Sequence, residues 1–470
     1  MNTDAIDNLS RAELLRLVFA LQRQVAQLSV EVAKLQAEND VLKRNSQRQA
    51  APFSKGKRVG KPKRPGRKPG SGRFNYRQAP LPEQLSGAPV EVPVTAMACP
   101  SCGGDLEHER VDWAYTTDLP SFPQPIVTAY RVAVCRCVVC GQQVRGQHPE
   151  VAPDQYGATA HRLGDRVMAM AHALHYGIGL PVRKTPAVLR LLSGVRLTQS
   201  AITQDALRRT QGEVGEHYGQ LRAHVAQRPA VHTDDTSWRV GGEAAYLMSF
   251  ETDEATVYQI RPQHRHDEVT EVIPADYDGV MVTDRGRSYD AHTFDAVKQQ
   301  KCLSHIQRNI REVLERQEGP VRVFGERLKA LLHEAIELWH AYHGGGVADF
   351  AGQATRLKKA ITRQLRPRQL RNRDNQRLLD GIGWHHDRGN VLRFLDDPEI
   401  EPTNNRAERS LRSAVIVRKV SQCSKTDGGA EAFSAFSSVI KTFAKAGLET
   451  MVDQLYALFR GARVPRASPL

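Results

Sequence analysis

The chain has 470 residues, of which 40% are hydrophobic and 25% charged, and a formal net charge of +14. This length suggests roughly three domains, and the composition is that of a globular protein that can bury hydrophobic cores. No apolar run approaches the ~20 residues that a membrane span needs. Because the N-terminus also lacks the basic-then-apolar pattern of a secretion signal, we expect a cytoplasmic protein.

The first segment, residues 1–46, predicts a coiled coil. Ser10 and Glu13 form a capping-box pattern that opens a helix. Leu at d positions, Val at a positions and one Asn at an a position favour a parallel two-stranded coiled coil. We therefore predict that residues 10–45 join two copies of the chain; the alternative is a lone amphipathic helix packed on its own domain. The heptad residues are Leu14, Val18, Leu21, Val25, Leu28, Val32, Leu35, Asn39 and Leu42.

The second segment, residues 47–90, is a basic linker. Residues 43–73 hold twelve Lys or Arg and no acidic residue, so the rest of the chain carries only about +2. The Gly, Pro and Lys composition of the linker cannot support a packed core, and we expect the linker to be disordered when free. The run RPGRKPG resembles an AT-hook, in which an extended backbone lays arginine in a narrow minor groove. Its DNA-binding candidates are Arg64, Arg67 and Lys68; a solvated linker with non-specific DNA affinity is the alternative.

Two CxxCG motifs predict a zinc ribbon over residues 91–150. Four thiolates at such spacing suit the tetrahedral coordination of Zn²⁺, and they leave no open coordination position, so the ion is expected to be structural. Free structural thiols are the alternative, and Cys135 is a spare cysteine. The predicted ligands are Cys99, Cys102, Cys137 and Cys140.

Residues 155–226 have a helical pattern. The run PAVLRLLSGVRLTQSAITQDALRRTQ predicts a helix, a Gly-containing turn and a second helix that begins near Thr198 or Gln199. This is typical of a helix-turn-helix, whose second helix can enter the DNA major groove. An ordinary helical hairpin fits the same pattern.

From residue 227 to residue 310 the pattern changes to short β-rich runs. Three runs in a meander are followed by DGVMVTD, a helix-like stretch, and VKQQKCLSH as another strand. A meander followed by strands alternating with helices predicts a mixed sheet flanked by helices, in the order of an RNase H-like fold. We therefore expect a multidomain α/β protein with an RNase H-like catalytic core.

The core continues after a helical insertion. Residues 311–398 place Leu328, Leu331, Leu332, Ala335 and Trp339 on one helix face. Residues 399–460 then form the second part of the core, followed by a tail over residues 461–470.

Three acidic residues are candidates for a metal site. Asp234 ends the first predicted strand of the core and Asp284 ends the fourth, and ligand groups gather at such strand ends. Glu408 begins a helix and supplies a third carboxylate. Mg²⁺ prefers oxygen ligands, and two ions about 3.5–4 Å apart support phosphoryl transfer. Asp235 is adjacent to Asp234, and strand alternation sends the two to opposite faces.

Several of these motifs resemble the insertion sequence 66 family of DDE transposases, across nearly the whole chain. The matching runs in the core are HTDDTSW, VTDRG, CLSHIQRN, and PTNNRAERSLRSAVIVRK followed by GGAEAFSAFSSVIKTFAKAG. The heptads, the RPGRKPG linker, the CxxC motifs and the run YGIGLPVRKT also resemble the family. The NNxxERxLR block is the most specific. The resemblance implies that Asp234, Asp284 and Glu408 form the catalytic triad with Mg²⁺ or Mn²⁺, two ions per site, and that Asp234 is preferred to Asp235.

The resemblance further implies cleavage at the ends of a mobile element and strand transfer into target double-stranded DNA. The protein would then be associated with the nucleoid of a bacterium, and accessory proteins of the same element are left open as partners. Cys302 and His305 match a family motif, and we expect a core cysteine and a positioned histidine rather than metal ligands. A non-catalytic DNA-binding regulator and a nuclease of the same fold without strand transfer are the alternatives.

The residues around Glu408 have separate predicted roles. Asn404 and Asn405 would shape the turn into the helix. The basic residues that follow would bind DNA phosphates, although an i,i+4 ion pair between Glu408 and Arg412 is an alternative. These basic residues are Arg409, Arg412, Arg418 and Lys419.

Overall fold

The structure is a computed structural model, and the statements below concern the residues that it describes. These are residues 79–461 except 86, 108–109, 117–123, 149 and 153, together with 10–11, 15, 18–32 and 36. The chain forms two compact units: one contains residues 53–124, and the other contains residues 1–52 and 125–470. The AT-hook-like residues Arg64, Arg67 and Lys68 lie outside the described residues, as do 462–470 of the predicted tail.

Residues 18–32 of the predicted coiled coil are helical. Val18, Leu21, Val25 and Leu28 are 46–61% exposed, so the described parts of the same chain leave their apolar seam uncovered. Dimerisation through this seam stays a prediction. The remaining heptad residues Leu14, Leu35, Asn39 and Leu42 lie outside the described residues.

In the unit of residues 53–124, the described residues hold one element of regular secondary structure, the 3₁₀ helix Pro82–Gln84. The first cysteine pair lies on a tight turn, where the N–H of Gly103 donates to the carbonyl oxygen of Cys99 at 2.8 Å. Gly103 has φ of 76°, a left-handed conformation that suits glycine.

The second cysteine pair lies in the other unit, between strands β1 (Val134–Arg136) and β2 (Gln143–Arg145), which pair antiparallel. Its turn repeats the first, because Gly141 has φ of 74° and donates to the carbonyl oxygen of Cys137 at 2.9 Å. Each CxxCG motif therefore forms the same local turn. Because the turns belong to different units, a shared Zn²⁺ ion stays a prediction.

Between residue 160 and the main sheet lie four α-helices: α1 (Asp165–His172), α2 (Thr185–Ser193), α3 (Gln199–Thr210) and α4 (Glu213–Val225). A π-helical segment, Ala173–Gly177, continues α1. The predicted helix, turn and helix are present as α2 and α3, and Thr198 caps α3 by accepting the N–H of Ala201 at 3.1 Å.

The main sheet has five strands in the order β5-β4-β3-β6-β7. Strand β3 pairs antiparallel with β4, and β4 pairs antiparallel with β5, whereas β3, β6 and β7 are parallel. The predicted mixed sheet with its initial meander is therefore confirmed. The strands are β3 (Ala230–Val240), β4 (Glu243–Glu251), β5 (Thr256–Arg261), β6 (Val280–Thr283) and β7 (Lys298–Lys301).

One sequence expectation within the sheet is wrong. The connection from β6 to β7 contains turns and the short 3₁₀ helix His292–Phe294, not an α-helix. Strand β7 ends at Lys301, and Cys302 is the N-cap residue of the next helix. The cysteine and histidine of CLSH consequently lie at a helix start, at the carboxyl end of the parallel strands.

The remaining helices are α5 (His266–Thr270), α6 (Leu303–Leu314), α7 (Val323–His343), α8 (Phe350–Leu365), α9 (Arg373–Asp387), α10 (Asn405–Ser421), α11 (Asp427–Phe443) and α12 (Met451–Phe459). The face predicted for the insertion is confirmed, because Leu328, Leu332 and Ala335 of α7 are fully buried. Helices α6 to α9 share a hydrophobic core that includes Val280 and Val282 of β6.

A second core joins the other parts of this unit. It contains Met168 of α1, Val214 of α4, residues of β4 and β5 such as Phe250, and Phe436 of α11. Helices α1, α3 and α4 therefore pack into the same core as the sheet, whereas Leu189 of α2 lies in a smaller cluster with Ala171 and Ile202. Among the described residues, no helix combines the length and apolar composition needed to cross a bilayer.

Candidate active site

Asp234 and Asp284 lie just beyond the point where the parallel pairing of β3 with β6 ends. Asp234 is in the middle of β3, not at the end of the strand as the sequence predicted. Asp284 follows the last residue of β6. The parallel register pairs His232 with Val282, so two residues further along, Asp234 and Asp284 lie level on strands about 4.8 Å apart. The Oδ1 atom of Asp284 accepts the N–H of Gly286 at 2.7 Å. A Cβ atom at position 286 would lie 2.8 Å from that oxygen, so glycine leaves room for the carboxylate.

The third acidic residue reaches the same place on a helix. Glu408 lies in the first turn of α10, whose buried residues include Ala407, Leu411 and Ala414, and this helix packs on β3 and β4. The Oε1 atom of Glu408 is buried and has no hydrogen-bond donor among the described residues. Among the described residues, Glu408 lies within ion-pair distance of His305 and not of Arg412, so the i,i+4 ion pair is not formed.

Asn404 joins the start of α10 to strand β3. Its Nδ2 atom donates to the carbonyl oxygen of Thr233, the residue before Asp234, at 2.7 Å. The main-chain carbonyl oxygen of Asn404 accepts the N–H of Glu408 at 3.1 Å. Asn404 is fully buried and makes no side-chain cap hydrogen bond, whereas Asn405 is exposed and begins the helix. Asn404 therefore fixes Glu408 relative to the strand that carries Asp234.

Burial and the neighbouring acidic residues change the pKa of Asp234. Burial raises the pKa of Asp234 to about 7, and the charges of Asp284, Asp235 and Glu408 add to this effect, against a hydrogen bond from the N–H of Asp235. Like charges that repel in a poorly hydrated place are typical of a site that binds a cation. This electrostatic coupling also shows that the four carboxylates lie close together.

Asp235 has a partner that Asp234 lacks. The Oδ1 atom of Asp235 lies 3.1 Å from Nδ1 of His264, whose ring packs edge-on against Tyr289 at 5.4 Å between centroids. Asp234 instead faces the charges of Asp284 and Glu408. His264 lies in the turn-rich run RPQHRHD, where no sequence signal indicated a contact with β3.

Cys302 and His305 lie beside Glu408. The Sγ atom of Cys302, a side-chain nitrogen of His305 and a carboxylate oxygen of Glu408 all lie within 4.8 Å of one another. The Nδ1 atom of His305 is 3.7 Å from Oε1 of Glu408, and the N–H of Asn404 donates to Sγ of Cys302 at 3.1 Å. Among the described residues, this is the only set of three or more such ligand atoms at metal-binding spacing.

A buried lysine that sequence analysis missed lies behind Asp284. Lys301 is fully buried, and its Nζ atom lies 2.8 Å from Asp290 and 3.1 Å from the hydroxyl of Thr283. Burial lowers the pKa of Lys301, although the Asp290 charge opposes this effect. The only sequence signal was a lysine at the end of a predicted buried strand, which is an uncommon position for a charge.

An open cleft of about 480 Å³ runs along α10 from the acidic residues. It is lined by Asp234, Asp235, Thr236, Glu408, Leu411, Arg412, Val415, Ile416 and Lys419. Arg409, Arg412 and Lys419 are exposed. Arg418 is placed differently, because its guanidinium group donates to the hydroxyls of Thr236 and Ser237 at 3.0 and 2.8 Å and so holds α10 on β3.

The donor types present suit a divalent cation, although the carboxylate oxygens of Asp234, Asp284 and Glu408 do not all lie within 4.8 Å of one another. Carboxylate oxygens are the ligands that Mg²⁺ and Mn²⁺ prefer, and a cation would offset the repulsion that raises the pKa of Asp234. The buried Oε1 atom of Glu408 has no hydrogen-bond donor among the described residues and is free to accept a ligand bond.

A mixed sheet with acidic residues on adjoining strands, covered by helices, fits the catalytic core of a transposase. The family model described as "Transposase IS66 family" matches residues 161–432, which is more than half of the chain. The chain therefore belongs to the IS66 transposase family, whose activity is the movement of DNA and implies DNA binding. A search of curated proteins finds no match.

Proposed function

We propose that this protein is a DDE transposase that cleaves DNA at the ends of a mobile element and joins those ends to target DNA. The supporting observation is the group of Asp234, Asp284 and Glu408, brought from two strands and a distant helix to one end of the sheet. The raised pKa of Asp234, caused first by burial and then by the charges of Asp284, Asp235 and Glu408, supports a role for this group in cation binding.

In this proposal, Asp234, Asp284 and Glu408 hold two Mg²⁺ or Mn²⁺ ions. When bound, these ions would supply activation of the attacking oxygen and stabilisation of the leaving oxygen in phosphoryl transfer. The chain itself holds the three carboxylates in place through Asn404 and the Gly286 turn. Asp235 is not assigned to this set, because its carboxylate is engaged with His264.

The cleft beside the acidic residues would hold the DNA strand. Arg412 and Lys419 line it and Arg409 is exposed on the same helix, so all three could bind phosphates. Arg418 is already bound to β3, so we propose that it positions α10. Residues 155–226 and the linker with Arg64, Arg67 and Lys68 would bind the element ends, and the N-terminal helix would pair two copies.

The four cysteines Cys99, Cys102, Cys137 and Cys140 would hold one structural Zn²⁺. Hydrogen bonds within the first pair and within the second lower the pKa of Cys99 and of Cys137, which favours the thiolate that Zn²⁺ requires.

The test is nicking of a supercoiled plasmid that carries the element ends, with Mg²⁺ or Mn²⁺. We expect Asp234→Ala and Glu408→Ala to lose about 100-fold or more of the nicking rate, which corresponds to several kcal/mol of transition-state stabilisation. Asp235→Ala is the matched control and should retain nicking. Equal nicking by wild type and all variants would contradict the triad.

Analysis of the products separates the alternatives. Joined products would support strand transfer, whereas nicks without joined products would indicate a nuclease of the same fold. Tight binding to the ends with neither product would favour a non-catalytic regulator.

A further inference from the structure

Three side chains beside the acidic residues form a set that differs in chemistry from the carboxylates. Cys302, His305 and Glu408 offer one sulfur, one nitrogen and one oxygen ligand, all within 4.8 Å of one another. Thiolate and imidazole ligands select Zn²⁺ and similar ions over Mg²⁺, which prefers oxygen. This set therefore has a different metal preference from the Asp234 and Asp284 carboxylates.

The geometry is close to that of a bound ion. At Zn²⁺ bond lengths of about 2.0–2.3 Å, tetrahedral ligands lie roughly 3.3–3.6 Å apart. Nδ1 of His305 and Oε1 of Glu408 are already 3.7 Å apart. Both residues lie in the first turns of helices, α6 and α10, so small side-chain movements complete the contact.

The surroundings of the sulfur also fit a metal ligand. The backbone N–H of Asn404 donates to Sγ of Cys302 at 3.1 Å, and such outer hydrogen bonds orient metal ligands. Cys302 is fully buried, whereas the side chains of His305 and Glu408 are 27% and 23% exposed. The site is therefore closed on the sulfur side and open towards the solvent, where water could occupy the fourth position.

We propose that Cys302, His305 and Glu408 bind one thiophilic divalent cation, with Zn²⁺ as the best match, and that this ion withdraws Glu408 from the catalytic group. Binding forms a bond from the Cys302 sulfur to the ion and releases the thiol proton to solvent. Because Glu408 cannot serve both sites, Zn²⁺ and Mg²⁺ occupy them in competition. Only this inhibitory consequence rests on the proposed function; the metal site itself does not.

The deciding measurement is the number of Zn²⁺ ions bound per full-length chain after dialysis against a low Zn²⁺ concentration. Wild type should bind one more ion than Cys302→Ser, whatever number the other cysteines bind. Cys423→Ser is the matched control, because Cys423 is a half-buried cysteine outside this set, and it should bind as many ions as wild type. Equal counts for wild type and Cys302→Ser would overturn the proposal.

A second variant and a spectroscopic measurement guard against misfolding. His305→Gln should also bind one ion fewer than wild type, and with Co²⁺ in place of Zn²⁺ both variants should lose part of the thiolate-to-metal absorption. If Cys302→Ser fails to fold, an unchanged ion count in a folded His305→Gln overturns the proposal instead.

Inhibition provides a separate readout. Zn²⁺ should inhibit Mg²⁺-dependent nicking by wild type, and half-inhibition of Cys302→Ser should need about tenfold more Zn²⁺, because loss of a ligand should cost at least as much as loss of an outer-shell partner. Equal inhibition of both proteins would overturn the competition. If no protein nicks DNA, the proposed function fails, while the ion count still decides whether the site exists.

Discussion

Two groups of partly buried carboxylates in the same unit differ in how their negative charge is compensated. Around Arg209, which is 3% exposed, Asp165, Asp205 and Glu213 bind the guanidinium group at 2.5–2.8 Å. Burial acts to raise the pKa of Asp205, but the His172 hydrogen bond and the Arg209 charge outweigh it and lower that pKa. At the sheet, burial and neighbouring carboxylates raise the pKa of Asp234 to about 7.

The difference indicates what each group is for. The Arg209 group contains its own cation, whose guanidinium carbon also lies 3.6 Å from the centre of the Phe459 ring, so it can stabilise the fold. The Asp234 group borders an open cleft, and a cation from solution would reduce the repulsion that its neighbours exert on Asp234. Removing the Arg209 guanidinium group should therefore lower the free energy of unfolding, whereas removing a carboxylate from the Asp234 group should raise it.

The largest expected effect is that of Arg209→Leu. It removes the guanidinium group shared by three partly buried carboxylates, of which Asp205 keeps His172 and Arg208 as partners, so we expect the free energy of unfolding to fall by about 3 kcal/mol. Arg208→Leu is the matched control, because the Arg208 side chain pairs with the same Asp205 but is 62% exposed, and it should cost under about 1 kcal/mol. Urea unfolding of both variants provides the measurement; equal losses would contradict a stabilising role for the Arg209 group.

At the sheet, Asp234→Asn should change the free energy of unfolding in the opposite direction. Without metal at pH 8, removal of a buried unbalanced charge should raise the free energy of unfolding by about 1–3 kcal/mol. Mg²⁺ at 100 times its dissociation constant should stabilise wild type by about 2.7 kcal/mol and this variant much less. Thermal unfolding with and without Mg²⁺ measures both; a less stable metal-free variant would show that Asp234 has an internal counter-charge.

Asn404→Ala tests the connection that holds the acidic group together. It leaves the buried carbonyl of Thr233 without its donor, so we expect a loss of about 1–3 kcal/mol in the free energy of unfolding. It should also raise the Mg²⁺ concentration needed for half-maximal nicking, because Glu408 is no longer fixed relative to Asp234. Asn405→Ala, at the exposed neighbour, should change stability by less than about 0.5 kcal/mol. An unchanged Mg²⁺ requirement would limit Asn404 to stability.

The smallest effect concerns pH at the Arg209 group. Burial lowers the pKa of His172, although the hydrogen bond and charge of Asp205 oppose this. Below pH 6.5 the unfolded chain therefore binds a proton that the folded protein does not, and stability falls by up to about 1.4 kcal/mol per pH unit. Facing groups that modify this response are Asp205, Arg208 and Arg209.

His172→Gln should have a shallower decline of stability between pH 7 and pH 5 than wild type. The difference between the two slopes isolates His172 from the other histidines. Identical slopes would show that His172 binds the same number of protons in the folded and unfolded chain.

The sequence predicted what depends on local pattern. Period-two apolar runs gave the meander of β3, β4 and β5, and Thr198 marked the start of α3 because a threonine N-cap is a local signal. Both Asp234 and Asp284 were expected at strand ends; Asp284 does follow the last residue of β6, whereas β3 continues to Val240 beyond Asp234.

Contacts between distant parts of the chain could not be predicted from the sequence. Asn404 was expected to shape a turn, yet its side chain bonds Thr233, which is 171 positions away. The Arg209 group joins residues 44 positions apart, and His264 meets Asp235 across a loop. A residue type and its local period do not specify such partners. The β6 to β7 connection was mispredicted as helical; it contains turns and the short 3₁₀ helix His292–Phe294 instead.

The order of the acidic residues along the chain has a consequence for synthesis. Asp234 and Asp284 are made early, whereas Glu408 follows the whole insertion, and α11, which packs on β5 and α4, comes later still. A chain that stops inside the insertion would carry the basic linker and two carboxylates but not the third. Under the proposed function, prematurely terminated products would bind DNA without cutting it and would act as competitors of the full-length enzyme.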